Sequence, residues 1–172
     1  MASWRRGRSK FRSPCGRALR RRARRVALGW RAWATWSPGS SATGAERRAA
    51  AFDPDVRVLV HGDAHDHNTL QVPGTAAFKF VDPDGLNAEP ACDLAVPMRE
   101  WSAELLAGDP LELGLVPCVR LSELTGVEAQ AIWEWGAMER LSTGLLATKL
   151  GYQPMGREML AVADAWALGG PP

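Results

Sequence analysis

Two kinds of hydrophobic pattern follow each other along the second part of this chain. Short runs rich in β-branched and aromatic residues come first, at 56–60, 69–72 and 77–81. Such runs predict strands, and the Pro73-Gly74 pair between the last two predicts the turn of a hairpin. We therefore expect one isolated strand followed by a β-hairpin, with a loop at 82–85 directly after the final strand.

Helical spacing replaces this pattern downstream. Apolar residues within 92–107 recur at intervals of four, three and four positions, and a Gly-Asp-Pro sequence ends the run. A second helix is expected over 111–124, kinked or split by Pro117. A third starts at 125–128 and carries one apolar stripe, and a last helix covers about 156–168. The pattern predicts an α+β, mostly helical domain with about four helices behind a small hairpin region.

The first 50 residues lack any such periodicity. Residues 1–45 hold twelve basic residues and no Asp or Glu, so the remainder has 21 − 12 = 9 basic residues against 19 acidic ones. An unpatterned basic segment cannot bury a core, so we expect residues 1–50 to be disordered or irregular, or to be a misread or truncated start. Interleaved Arg and Trp also fit a nucleic-acid-binding arm, because both phosphates and bases can be contacted. The folded domain is placed at 52–170.

Cysteine use and hydropathy bear on the class of protein. Cys15, Cys92 and Cys118 are scattered and form no C-x-x-C pair, so they indicate neither a disulfide framework nor a zinc knuckle. No apolar run approaches the roughly 18–20 residues needed to cross a bilayer. A cytoplasmic protein without membrane association is therefore expected.

One loop and one strand end carry candidate phosphoryl-transfer chemistry. That reaction needs a carboxylate beside the acceptor hydroxyl and oxygen ligands for a divalent metal, drawn from separate backbone segments. Asp63 and Asn68 are five positions apart, the spacing of the Asp and Asn in a kinase catalytic loop. Asp82 follows the last predicted strand, where a second metal-binding carboxylate is expected.

These residues carry a resemblance to a known family. The sequence His-Gly-Asp-Ala-His-Asp-His-Asn at 61–68 resembles the H-G-D-x-x-x-x-N motif of aminoglycoside phosphotransferases and their choline-kinase-like relatives. Residues 80–85 look like the metal-binding segment of that family, and 88–95 are similar to its Pro-x-x-Asp-Leu-Ala element. The segments 82–110 and 132–144 look closest to the streptomycin and hydroxyurea phosphotransferase branch.

The resemblance covers about residues 55–168 and implies a protein-kinase-like C-lobe that gives antibiotic resistance. By position, Asp63 would be the catalytic base, and Asn68 and Asp82 would ligate Mg²⁺. Asp84 would contact the ligands of that ion without binding it directly, or it would bind a second ion. ATP would be the phosphate donor, and a hydroxyl of a small molecule such as streptomycin or hydroxyurea the acceptor.

Two supporting residues and the acceptor class follow from the same resemblance. His61 would pack under the catalytic loop, and Asp93 would brace its backbone. Gly62 stands where protein kinases have the arginine that reads a phosphorylated activation loop. Ten residues separate Asp82 from Asp93, too few for a peptide-docking segment, so a small acceptor is expected.

The sequence shows no counterpart of the ATP-clamping half of a kinase. That half needs a glycine-rich loop and a strand lysine paired with a helix glutamate. The three lysines are Lys10, Lys79 and Lys149, and none has this context. The chain by itself is therefore expected to be weakly active or inactive.

A rival interpretation uses the histidines as zinc ligands. The His65-Asp66-His67 sequence after a strand is how some metal-dependent hydrolases begin their site. Such a site needs further His or Cys ligands downstream, and the chain contains no histidine beyond position 67. We therefore expect His65 and His67 to be substitutable loop residues.

Overall fold

The structure, a computed structural model, describes residues 42–167. This part of the chain is α+β and mostly helical, which confirms the predicted class. It contains six α-helices, where about four were predicted: α1 (Ala42–Ala51), α2 (Pro90–Leu94), α3 (Ser102–Leu106), α4 (Pro110–Thr125), α5 (Ala129–Lys149) and α6 (Met155–Ala167). None of the helices described is long and apolar enough to cross a membrane.

Four three-residue strands form two antiparallel pairs. β2 (Thr69–Gln71) and β3 (Phe78–Phe80) make the predicted hairpin, with Thr69 opposite Phe80. β1 (Val58–Val60) pairs instead with β4 (Leu86–Ala88). The sequence predicted no strand at β4, because Leu-Asn-Ala has no β-branched or aromatic residue. β4 extends because the predicted strand β1 is its partner.

The prediction of one continuous helix over 92–107 is wrong. The segment is divided into α2, a 3₁₀ helix at Pro97–Arg99, and α3. Pro97 has no amide hydrogen for an i−4 bond, and Trp101 has a left-handed φ of 58°. Met98 and Leu105 are buried as their spacing predicted, but on separate short elements.

The remaining helices agree closely with the pattern. α4 runs without a split through Pro117, although a kink or split was predicted there. Asp109 caps its first turn by accepting from the amides of Leu111 and Glu112, and Gly126 ends it at a φ of 72°. α5 and α6 lie where the third and last helices were predicted.

The core lies where α5 meets α4 and α6. Trp133 and Trp166 pack with ring centroids 4.5 Å apart, and Ile132 is fully buried beside them. Gly114 permits this packing, because a Cβ there would lie 2.6 Å from the Trp166 ring. The strands and the loop at 61–68 lie outside this apolar cluster, which contains none of the candidate site residues.

Helix α1 corrects the prediction of an irregular N-terminal segment. Residues 42–51 are helical, and two of their arginines bind α5 and the residue before α2. Arg47 Nε lies 3.1 Å from Glu134 Oε1, and buried Arg48 lies 3.2 Å from Glu89. These ion pairs with two buried glutamates attach α1 to α5 and to the residue before α2. The predictions for residues 1–41 lie outside the described residues.

Candidate functional site

The loop at 61–68 is held at its start by the carboxylate of Asp93. The backbone amide of His61 donates to Asp93 Oδ2 at 2.7 Å, and the amide of Gly62 donates to Oδ1 at 2.6 Å. Charge-assisted hydrogen bonds of this kind are stronger than neutral ones. Asp93 lies on α2, so a helix that follows β4 positions the loop between β1 and β2.

Gly62 meets a backbone requirement at this point. Its φ is +84°, and a Cβ added there would lie 3.0 Å from Asp84 Cβ and from two carbons of Leu86. A larger residue is strained by its backbone conformation and by contact with Asp84 and Leu86. An arginine, which protein kinases have at the corresponding position, therefore does not fit this backbone. The conformation and close contacts of the loop explain why glycine stands at position 62.

The second loop, 82–85, is bound to the first through the backbone. The amide of Val81 donates to the carbonyl of Asn68 at 2.9 Å, and the amide of Gly85 donates to the carbonyl of His61 at 3.1 Å. His61 Nε2 donates to the Val81 carbonyl at 3.0 Å, while its Nδ1 accepts from the amide of Asp63 at 3.3 Å. These bonds hold the backbone segment that bears Asp82 and Asp84 against the Asp63–Asn68 loop.

The carboxylate of Asp63 has different partners on its two oxygens. Oδ1 accepts from Arg99 Nη2 at 2.8 Å. Oδ2 accepts from Asn68 Nδ2 at 3.2 Å and lies 3.3 Å from His65 Nε2. Asn68 Nδ2 also donates to the Asp63 carbonyl at 3.0 Å. The predicted pair is thus in direct contact, and the amide oxygen of Asn68 is the atom that remains for a cation.

Arg99 is a site residue that sequence reasoning missed. Besides Asp63, it binds Glu139 Oε2 on α5 at 3.2 Å and Glu100 Oε1 at 3.4 Å. Burial lowers the pKa of its guanidinium, but the hydrogen bond to Asp63 and the three carboxylates outweigh this and raise the pKa. No local motif signals Arg99, because its partners are separated from it by up to 40 positions.

Asp82 has an unusual backbone conformation. Its φ is 56°, in the left-handed region that residues other than glycine rarely adopt. Such strain persists where surrounding structure imposes it, and it is concentrated at functional sites. Asp82, Asp84 and Asn68 offer only oxygen donors, which suits Mg²⁺ and not a metal that prefers nitrogen or sulfur.

The two lysines within the described residues contribute nothing to this site. Lys79 lies in β3 and Lys149 ends α5, and both are exposed. Among the residues whose side chains the structure describes, neither has a carboxylate partner that would reproduce a lysine–glutamate clamp. The described residues therefore do not fit the phosphate-clamping half of an ATP site.

In comparisons with known proteins, no family model, no curated protein and no solved structure matches this chain. Functional assignment depends on the residues and contacts above.

Proposed function

We propose that this chain is the kinase-like C-lobe of a phosphotransferase that moves the γ-phosphate of ATP to a hydroxyl of a small molecule. The observation that carries the proposal is the contact between two polar loops. A carboxylate–amide pair, Asp63 and Asn68, lies on one, and backbone hydrogen bonds from Val81 and Gly85 join the other, with Asp82 and Asp84, to it. In kinases the base and one metal ligand share one segment and a second metal ligand comes from another, which is the arrangement proposed for these two loops.

Asp63 is the proposed general base. Its carboxylate takes the proton of the acceptor hydroxyl, while Arg99 at Oδ1 and Asn68 at Oδ2 fix the orientation of the group. The carboxylate is partly accessible, with 31% of the side chain exposed, which lets an acceptor reach it. Effective proton transfer requires an approach of roughly 2.6–3.2 Å between the heavy atoms.

Asn68 and Asp82 are the proposed Mg²⁺ ligands, with Asp84 beside them. When bound, the ion supplies charge neutralisation for the phosphates. The donation from Asn68 Nδ2 to Asp63 orients the amide so that base and metal ligand are positioned together. Asp93 and His61 position the loop and touch no reacting atom.

A small acceptor is proposed because only a few residues of chain separate the second loop from α2. The ten residues between Asp82 and Asp93 form the second loop, β4 and the start of α2. They therefore contain no long segment on which a peptide could dock. Streptomycin and hydroxyurea are the acceptor candidates, and antibiotic resistance is the proposed role. Because no phosphate clamp lies among the described residues, we expect slow turnover by the chain itself.

Phosphorylation and metal binding by the purified chain test the proposal. With ATP, Mg²⁺ and streptomycin or hydroxyurea, we expect slow phosphate transfer that Asp63→Asn abolishes. Asp82→Asn should weaken Mn²⁺ binding, followed by water-proton relaxation, at least tenfold. Asp164→Asn, an exposed acid on α6, is the matched control. If transfer is undetectable and Mn²⁺ binding is equal in the parent, Asp82→Asn and Asp164→Asn proteins, the proposal is wrong.

The nucleic-acid-binding alternative depends on the basic segment at residues 1–50. Most of the basic segment lies outside residues 42–167. Arg47 and Arg48 lie against Glu134 and Glu89, so these two cations already have carboxylate partners.

A further inference from the structure

The catalytic-type loop carries a second cluster of metal-ligating atoms. Within the described residues, His65, Asp66 and His67 each offer one ligand atom, and the three atoms lie within 4.8 Å of one another. The proposed Mg²⁺ site does not use them. Two imidazoles with one carboxylate favour zinc, nickel or copper over magnesium.

Two of the three ligand separations in this cluster, those that involve Asp66, are close to those of a tetrahedral site. Asp66 Oδ1 lies 3.6 Å from His65 Nδ1 and 3.8 Å from His67 Nε2. With zinc–ligand bonds of about 2.0–2.2 Å, tetrahedral geometry separates ligand atoms by roughly 3.4 Å. The two separations therefore exceed the ideal by only a few tenths of an ångström. The His65 and His67 rings are already arranged edge to face, with centroids 5.6 Å apart.

The other nitrogen of His65 supplies an independent observation. Its Nε2 lies 3.3 Å from Asp63 Oδ2, and its Nδ1 accepts from the amide of His67 at 3.2 Å. Both contacts favour the tautomer with hydrogen on Nε2 and a lone pair on Nδ1. Metal-ligating histidines almost always donate their second N–H to a carboxylate or carbonyl in this way. Asp63 thus orients His65 as such a ligand, and a metal would replace the weak amide contact at Nδ1.

We propose that His65, Asp66 and His67 form a transition-metal site of the zinc class, coupled to Asp63 through the His65 ring. This site replaces the expectation that His65 and His67 are substitutable, because Asp66 supplies the third protein ligand and no further His or Cys is needed. The Asp66 and His67 side chains are 69% and 85% exposed, so water can complete the coordination. A cation on Nδ1 makes the Nε2 hydrogen a stronger donor to Asp63. The metal therefore holds the proposed base more firmly and slows phosphoryl transfer; this inhibitory consequence rests on the proposed function, whereas metal binding does not.

Calorimetric titration of the full chain with ZnCl₂ tests the site directly. Cys15→Ser serves as the parent protein, because a thiol outside the described residues would also bind zinc, whereas Cys92 and Cys118 are buried. We expect one Zn²⁺ per chain. His67→Ala and Asp66→Asn should each weaken binding at least tenfold, and Asp164→Asn should leave it unchanged. His67 is exposed, so its loss should not unfold the chain, which circular dichroism checks.

Substitution at Asp63 tests the coupling. Loss of the carboxylate behind a metal-ligating histidine typically costs about 10–100-fold in metal affinity, so Asp63→Asn should weaken Zn²⁺ binding by that factor. Co²⁺ in place of Zn²⁺ should give the visible absorption of a tetrahedral nitrogen–oxygen site. An unchanged affinity in Asp63→Asn would refute the coupling, and equal binding by the His67→Ala, Asp66→Asn and parent proteins would refute the site.

Two further measurements distinguish the zinc site from the proposed phosphotransferase site. Asp82→Asn should leave the zinc titration unchanged, and a large excess of Mg²⁺ should not displace Zn²⁺. Displacement by Mg²⁺ would overturn the zinc-class assignment. A chain that binds zinc at these residues but never transfers phosphate contradicts only the proposed function, and the opposite result contradicts only the zinc site.

Discussion

The loop at 61–68 and the hairpin that follows it are stabilised in opposite ways. Polar contacts hold the loop from several sides, through Asp93, Arg99 and the backbone of the 82–85 loop. The hairpin β2–β3 is largely exposed on both faces: Phe78 and Phe80 are 63% and 60% exposed on one face, where the Phe80 ring lies 5.4 Å from that of His61, and Leu70 is 57% exposed on the other. Atoms proposed for chemistry are thus fixed by directional bonds, while nearby apolar side chains remain uncovered in the described structure.

This difference has a physical reason. Apolar packing is non-directional, whereas hydrogen bonds to a carboxylate define both distance and angle. A base and metal ligands must be held within a fraction of an ångström, so a polar frame suits them. A two-stranded hairpin has no such requirement and gains little stability alone in water.

Removal of the Asp93 carboxylate should have the largest effect on the loop. Asp93→Ala leaves two backbone amides without their charged acceptor, and we expect a loss of about 3–4 kcal/mol in the free energy of unfolding. Urea denaturation measures it. Asp164→Ala, an exposed acid, is the control; equal stabilities of the two variants would show that the carboxylate does not support the loop.

Arg99→Gln should have the next largest effect. It removes the cation between Asp63 and buried Glu139, and charged hydrogen bonds of this kind are worth about 2–3 kcal/mol in stability. Arg120→Gln is the matched control, because its ion pair with Glu123 is exposed and should cost less than about 1 kcal/mol. Similar losses in both variants, measured by urea denaturation, would contradict a structural role for the Arg99 bridge.

Gly62→Ala should destabilise the chain by about 2 kcal/mol, because it combines a left-handed φ with a contact at 3.0 Å to Asp84. Gly74→Ala in the hairpin turn is the comparison: its φ is +73°, but a Cβ there meets nothing within 4 Å. We expect Gly74→Ala to cost only the conformational part, about 1 kcal/mol. Thermal unfolding measures the stability loss of both variants, and the difference between the two losses gives the cost of the steric contact at position 62.

The hairpin surface should give the smallest effect. Phe78→Ser removes an exposed aromatic side chain, and a surface change of this kind alters stability by about 0.5 kcal/mol or less. Ile132→Ala in the core, expected to cost about 2–5 kcal/mol, shows the full scale of an apolar deletion. A loss above 1.5 kcal/mol for Phe78→Ser in urea denaturation would show that the hairpin face is covered in solution.

Local pattern accounts for much of the fold. The β2–β3 hairpin, α4, α5 and α6 were predictable because their turn residues, caps and apolar spacing lie within a few positions of each element. The candidate loop residues were also predictable, since Asp63 and Asn68 belong to one short motif and Asp82 follows a predicted strand. In each case the signal and the element share the same stretch of chain.

Long-range contacts account for the rest. β4 exists through its pairing with β1, and the division of the 92–107 helix places Arg99 so that its guanidinium reaches both Asp63 and Glu139. Residue spacing cannot report such contacts, because their free energy comes from partners far away in sequence. Local sequence therefore specified the polar loop and its candidate chemistry. Tertiary packing decided that Arg99 binds Oδ1 of Asp63 and that the His65 ring faces Oδ2.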